Sequence, residues 1–425
     1  MAKSPGQPDI TPIRRKPTFD FSLTGLVYCG TMLLMGVAAI NGQANLLFGV
    51  FGLMIGVLLV SGIICRMVLR QLKVTRTLPE LCTVGEPATA IYKFQNQKKY
   101  WPSLSVTLSE LEGARAFERP PSVYLLHAAA GMTASVPMEF VPARRGKHQL
   151  GHFQLSTSFP FGFIRRAFDR AEPDALLVCP PLGRVSRQLL GLCRTDQRDN
   201  APVKPRPGGQ DEFYGVKEHR QGDNPRWIYW RRTARTPGLM VSKEMTQVAP
   251  PRLMLLVDTY LAHPTREDLA TVEKTLAMAA SLASQGLEEG LAVGLCAWDR
   301  DDWAILPPLQ GKRQRRDVLA ALARLPRNSV VDSRRLLDAS SGLIKSGTTG
   351  VLFTPRAMEV SLTDRLRGAM VVVATLSPSA NAWFTFDSHV DFEQCIPLEE
   401  DSPANTHGQA EPKRARWPLE FENAG

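Results

Sequence analysis

FSLTGLVYCGTMLLMGVAAI (residues 21–40) and LLFGVFGLMIGVLLVSGIIC (residues 46–65) are two runs of 20 residues without a charge, separated only by NGQAN. At about 1.5 Å per residue each makes a helix about 30 Å long, the thickness of a bilayer core. Adjacent uncharged runs of this length are rare in soluble cores, so the pattern predicts a transmembrane helical hairpin over residues 21–65. The first run is too long for the apolar part of a cleaved signal, and a second follows at once. Lys3, Arg14, Arg15 and Lys16 precede the first run, and Arg66, Arg70, Lys73 and Arg76 follow the second. The connection carries no charge. The positive-inside rule therefore places both termini in the cytoplasm, in the inner membrane if the source is bacterial. Gly52 and Gly56 form a Gly-x-x-x-Gly pair that suits close packing against the first span or dimerisation. Residues 1–20 read as a disordered basic tail.

Beyond the hairpin the periodicity changes. In residues 72–182 Ala88, Ala90, Tyr92 and Phe94 alternate with Thr89, Ile91, Lys93 and Gln95. Leu104, Val106 and Leu108 alternate in the same way, as do Ala134, Val136, Met138 and Phe140. Period two means strands with one buried face, and several of them between Gly/Pro turns predict a β-sandwich-like domain. Pro137 cannot donate to a ladder, which puts its strand at an edge. Residues 183–208 read as a linker, with Arg184, Arg187, Arg194 and Arg198 followed by Pro202, Pro205, Pro207 and Gly208.

From residue 251 short, wholly apolar runs appear at 253–257, 291–297, 351–353 and 369–374, as expected of strands covered on both faces. Between them Leu269, Val272, Leu276, Ala279 and Ala283 recur at helical spacing, with Thr265 as N-cap and Gly286 past the end. Alternating strands and helices predict an open, mostly parallel α/β sheet over residues 251–396. Residues 397–425 are polar and Pro-rich and read as a disordered tail.

With 44% hydrophobic and 22% charged residues, most of the 425-residue chain should fold. Its net charge of +10 is compatible with nucleic acid, an anionic membrane or an acidic partner. Seven cysteines (Cys29, Cys65, Cys82, Cys179, Cys193, Cys296 and Cys395) form no Cys-x-x-Cys pair and read as free thiols of a reducing compartment.

GVKEHRQGDNPRWIYWRRTARTPGLMVSKE (residues 215–244) lies in the segment 209–250 and resembles the signature of a bacterial family known as domain of unknown function fifty-eight. Glu218, Gly222, Asp223, Arg226, Ile228, Trp230, Arg231, Ala234 and Arg235 fall at matching positions, while Lys217 and His219 depart from the pattern. Upstream, Arg145-Gly146, Leu150-Gly151 and Pro160-Phe161-Gly162 resemble the family's sandwich motif, with Phe159 where Asp is usual. The resemblance implies a β-rich segment followed by a domain like the von Willebrand factor type A fold. It also implies an association with MoxR-type AAA+ ATPases and transglutaminase-like membrane proteins. Read from the residues, Asn224 caps a helix with Pro225 at its first position. Trp227, Trp230 and Ala234 would line one face of that helix. Asp223 and Arg226 suit a charge-assisted pair locking the turn. Arg231 and Arg235 could be structural or a docking surface for acidic groups.

In type A folds a divalent ion sits at the carboxyl edge of the sheet on Asp-x-Ser-x-Ser, a Thr and a second Asp. Here Asp258 is present, but Tyr260 and Ala262 replace the serines and Thr354 stands where the later Asp is expected. No metal and no cofactor are expected at this degenerate site. His148 and His152 have no third ligand nearby in sequence. Phosphate-binding Gly-rich loops, Gly-x-Ser-x-Gly and His-Glu-x-x-His do not occur. Arg313, Arg315 and Arg316 open a helix backed by Val318, Leu319 and Leu322 and are a candidate partner surface.

The sequence thus points to a membrane-tethered, non-enzymatic scaffold or adaptor that binds proteins, with a MoxR-type ATPase as the expected partner. One alternative is a basic module that binds nucleic acid through Arg226, Arg231, Arg232 and Arg235. It lacks the interleaved exposed aromatics of single-strand binders. Another is a hydrolase, for which no nucleophile with a positioned base is evident.

Overall fold

The computed structural model describes residues 18–43, 45–111, 117, 119–200, 206–220, 223–235, 238–247, 251–344, 348–356 and 370–396. Residues 1–17 of the basic tail, all of the polar tail 397–425, and Gly222 lie outside them. The chain divides into two units. One runs to Pro181 and takes back residues 389–396; the other is Leu182–Ser388. The last residues of the expected α/β segment, 389–396, therefore belong with the β-rich unit, where Cys395 joins the core.

The first unit opens with β1 (Thr18–Phe21), so the end of the expected tail is a strand, paired with β9 (Ile164–Cys179). Then come α1 (Leu23–Gly42) and α2 (Asn45–Leu69), both long and apolar enough to cross a membrane. Tyr28 Oη donates to Met54 O at 3.1 Å, and Phe51 fills the space beside Gly36. Most of their other large side chains, including Leu26, Leu34, Leu53 and Leu59, are exposed. The end of α2 behaves differently: Cys65, Val68 and Leu69 are buried in protein. Helix α2 therefore continues past the expected end at Cys65, because its last turn joins the β core.

Seven further strands complete the unit: β2 (Leu72–Thr77), β3 (Cys82–Thr83), β4 (Ala88–Asn96), β5 (Ser103–Glu110), β6 (Ser122–Ala128), β7 (Thr133–Phe140) and β8 (Gly146–Thr157). They form a sheet β1-β9-β8-β5-β6, with β3 on β9, and a sheet β2-β4-β7. Pro137 lies on β7, an edge strand as expected. One apolar cluster, including Tyr92, Phe94, Val106, Leu108, Leu150 and Phe153, draws from both sheets and from the end of α2. Inside it Glu110 Oε1 accepts from Arg76 Nη1 at 2.6 Å and from Tyr92 Oη at 2.5 Å. Arg76 Nη2 also donates to Leu150 O and Glu172 O. Burial first, then the Glu110 carboxylate, pushes the Tyr92 phenol far above its ordinary value, so it stays a donor. The last carbonyls of α2 are satisfied by Lys98 Nζ, which reaches Met67 O and Val68 O at 3.0 and 2.7 Å, and by Ser103 Oγ.

The second unit begins with β10 (Arg184–Val185) and α3 (Arg187–Asn200), where the sequence suggested a linker. Leu189, Leu190 and Cys193 are buried, and Thr349 Oγ1 donates to Cys193 O at 3.2 Å. Three apolar residues on one face hold this helix among its arginines. Next come β11 (Arg206–Glu218), α4 (Trp230–Thr233) and β12 (Val241–Gln247); β11 and β12 make a two-stranded antiparallel ribbon. The remaining elements are β13 (Arg252–Val257), α5 (Arg266–Glu288), β14 (Ala292–Asp299), β15 (Asp302–Leu309), α6 (Lys312–Arg324), α7 (Ser333–Ser340), β16 (Thr348–Thr354), β17 (Met370–Ala374), α8 (Pro378–Trp383) and β18 (Phe384–Thr385).

The main sheet has the order β15-β14-β13-β16-β17, parallel except for the antiparallel edge strand β15. Residues 253–257 are buried on alternate faces alike, as the continuous apolar run predicts. Helix α7 covers Met254, Leu256, Cys296 and Leu352 through Leu336 and Leu337. Helix α5 lies on the opposite face, and its Thr265–Asp268 capping box confirms the expected start. Gly286 is inside the last turn rather than past it. A Cβ there would press on Leu291 at 3.2 Å.

Candidate functional site

At the carboxyl edge of the sheet, β13 and β16 end side by side, with Val257 opposite Phe353. The next residues are Asp258 and Thr354, and both are buried. Asp258 N donates to Phe353 O at 2.9 Å, which turns the carboxylate back over the strand ends. Oδ1 accepts from Tyr260 N at 2.9 Å. Oδ2 accepts from Ser333 Oγ at 2.7 Å, Thr354 Oγ1 at 3.2 Å and Arg356 Nη2 at 3.0 Å. Arg356 Nη2 also reaches Ser333 Oγ at 2.8 Å, and its guanidinium lies 4.9 Å from the Tyr260 ring centroid. Asp258 is thus more than a turn residue: it is the hub of a charge-assisted network.

The sequence led us to expect that the hydroxyls of a metal site were missing. The fold supplies two: Thr354 from β16, and Ser333 from the first turn of α7, which no local pattern singles out. A divalent ion would meet one carboxylate and two hydroxyls, with the guanidinium of Arg356 already on the same carboxylate oxygen. Like charges at that separation repel, and hard cations need more oxygens than these. The residues present do not fit such an ion. Ala262 is exposed and takes no part in this network.

Arg313, Arg315 and Arg316 are elsewhere. Helix α6 starts at the amino edge of the sheet, where Gln314 Nε2 donates to Val293 O at 2.7 Å. A six-residue strand, about 20 Å long, separates that edge from Asp258. Arg315 pairs with Glu288 at 3.1 Å, and Arg313 and Arg316 lie 3.8 and 3.7 Å from Asp317. This candidate partner surface therefore lies at the edge opposite the loops that follow β13 and β16.

The signature residues form a knuckle on the ribbon. Asp223 does not pair with Arg226. Its Oδ1 accepts from Lys217 Nζ at 3.0 Å and its Oδ2 from Arg220 N at 3.1 Å. The Arg220 amide and then Lys217 hold the Asp223 carboxyl below its ordinary value. Lys217, a departure from the family pattern, supplies the charge. Asn224 caps a 3-10 turn, Pro225–Trp227, by accepting from Arg226 N at 3.1 Å. The expected single helix is broken there, because Ile228 bridges Ser242 and Tyr229 N donates to Val241 O at 2.7 Å. Only Trp230–Thr233 resumes as helix. Glu218 ends β11 opposite Val241. Ile228 is buried, whereas Arg226, Arg231, Ala234 and Arg235 are exposed and Trp230 is 65% exposed. In the first unit, His148 Nε2 on β8 contacts Arg144 O, just before the strand, at 2.8 Å.

Fold and site together define an α/β unit with a mostly parallel sheet, a charged hub at its carboxyl edge and a basic knuckle on a separate ribbon. Residues 215–373 match the model of the family described as "Protein of unknown function DUF58". That match takes in the signature and the main sheet into β17. No curated protein matches the chain.

Proposed function

We propose that this chain is a membrane-anchored, non-enzymatic adaptor. Helices α1 and α2 cross the bacterial inner membrane as a hairpin with both termini in the cytoplasm. The second unit is a domain like the von Willebrand factor type A fold, and it binds a protein partner at the carboxyl edge of its sheet. The partner we assign is a MoxR-type AAA+ ATPase, with a transglutaminase-like membrane protein as a possible further component of the same assembly. The observation that carries this reading is the contact of Arg356 with Asp258. It gives the edge a fixed positive group, 39% exposed, next to the Tyr260 ring, where acidic and apolar groups can be recognised without an ion. Exposed apolar side chains along both long helices support the anchor, since such surface is costly in water. The test is co-purification from gently solubilised membranes, with and without nucleotide, combined with a reporter fused after Gly425 that is active only outside the cytoplasm. A retained ATPase and a silent reporter are expected.

A second reading gains from Trp230, whose exposure among Arg226, Arg231, Arg232 and Arg235 gives nucleic-acid binding the aromatic that the sequence alone did not promise. Binding of single strands that falls steeply with salt would favour it.

A further inference from the structure

We propose that the loop of residues 158–163 is a wedge set into the membrane interface, with the Phe161 ring against phospholipid acyl chains. This rests on the reading of α1 and α2 as spans. From Gly42 back to Ser22, and from Asn45 on to Cys65, each helix covers about 30 Å, the depth of a bilayer core. Ser22 and Cys65 thus mark its inner boundary, and the loop is bonded to both. Phe163 O accepts from Ser22 N at 3.1 Å and from Ser22 Oγ at 3.2 Å, and Ser22 Oγ also donates to Gly162 O. Cys65 Sγ donates to Phe159 O at 2.9 Å. The loop then reaches further in. Phe163 stacks on Tyr28 at 4.2 Å, about 9 Å beyond Ser22 along α1. Phe161 stacks on Phe163 at 5.6 Å and remains 51% exposed.

Irregular backbone at this depth is tolerated only where protein satisfies its polar groups. Besides the bonds above, Gly162 N donates to Ser158 O at 2.8 Å and Phe159 N to Thr157 Oγ1 at 3.3 Å. Pro160 has no N–H to satisfy. Two glycines permit the approach: Gly162 has φ +75°, and a Cβ on Gly25 would overlap the Phe163 carbonyl. Arg165 follows and is exposed, placed to reach lipid phosphates as basic residues at interfaces do, whereas Arg166 lies over the Phe168 ring, 5.5 Å from its centroid. In this arrangement the β-rich unit is seated in the bilayer surface rather than hung beneath it.

The test uses the full chain in phospholipid nanodiscs, with Phe161→Trp and Leu34→Trp made separately and wild-type emission subtracted. Lipids brominated near the carbonyl end of the chain should remove most of the emission added at position 161, and aqueous acrylamide should remove little. Lipids brominated near the methyl end should quench the tryptophan at position 34 most. Quenching at 34 with only acrylamide quenching at 161 overturns the wedge and leaves the span intact. No lipid quenching at either position overturns both.

Discussion

Arg356 Nη2 lies 3.0 Å from Asp258 Oδ2 and 2.8 Å from Ser333 Oγ, so a guanidinium holds together three elements that meet at the carboxyl edge of the sheet. Asp258 is almost wholly buried and its remaining bonds to Oδ2 are from neutral hydroxyls. Arg356→Ala would leave that charge without a cation. We expect a loss on the order of 2 kcal/mol, below the usual cost for a fully buried pair because Arg356 is part-exposed. Urea midpoints of the full chain measure it, and an unchanged midpoint would contradict the hub.

The same geometry sets the response to metal. Millimolar magnesium or manganese should leave the melting temperature unchanged, since any ligand that binds only the folded state raises it by mass action. A rise of several degrees would show that an ion displaces Arg356.

In the first unit, Glu110 is held by Arg76 and Tyr92 in the core, with side-chain exposures of 0% and 1% for the ion pair. Glu110→Ala removes one partner of a buried pair and should cost roughly 3–5 kcal/mol. Glu110→Gln, which keeps an acceptor for Tyr92, should cost less. Equal losses for the two would mean that packing, not charge, dominates.

Asp223 and Arg226 should part company. Lys217→Glu or Asp223→Asn should speed hydrogen exchange in the knuckle, while Arg226→Glu should leave exchange unchanged, because Arg226 is exposed and Asp223 is bonded to Lys217 and Arg220. Faster exchange in the Arg226 variant would restore the pairing expected from sequence.

Three buried thiols give a pH signature. Burial pushes Cys82 up to about 11 and Cys179 and Cys296 up to about 12, from an ordinary value of 9.0. Between those limits the unfolded chain binds fewer protons than the folded one, so stability falls as pH rises through this window and is unaffected by these groups below it. The slope should be shallower in Cys296→Ala. A thiol reagent at neutral pH should modify none of the three until the protein unfolds.

Local pattern carried much of the fold into the sequence. Period two located β4 and β7, and Pro137 announced the edge strand; apolar runs located β13, β14, β16 and β17. Strand β15 went unread because Pro307 and Pro308 interrupt its pattern, which only an edge position tolerates. Helix α3 was hidden by its arginines. The hub was half legible: Asp258 and Thr354 follow strands, but Ser333 arrives from 75 residues away and Arg356 from 98. No local spacing encodes such contacts. The signature misled in the opposite way, since Arg226 is near Asp223 in sequence while the actual partner, Lys217, lies across the turn.

Binding of the full chain in nanodiscs to a MoxR-type ATPase, the partner proposed above, tests the adaptor account most directly, with variants at the two edges of the sheet. Tyr260→Ala, at the carboxyl edge, should weaken affinity about tenfold, or about 1.4 kcal/mol. Reversal of Arg313, Arg315 and Arg316 to Glu, at the amino edge, should leave affinity within about twofold and change only its salt dependence. No binding by the wild type, or a loss confined to the arginine reversals, would contradict the account.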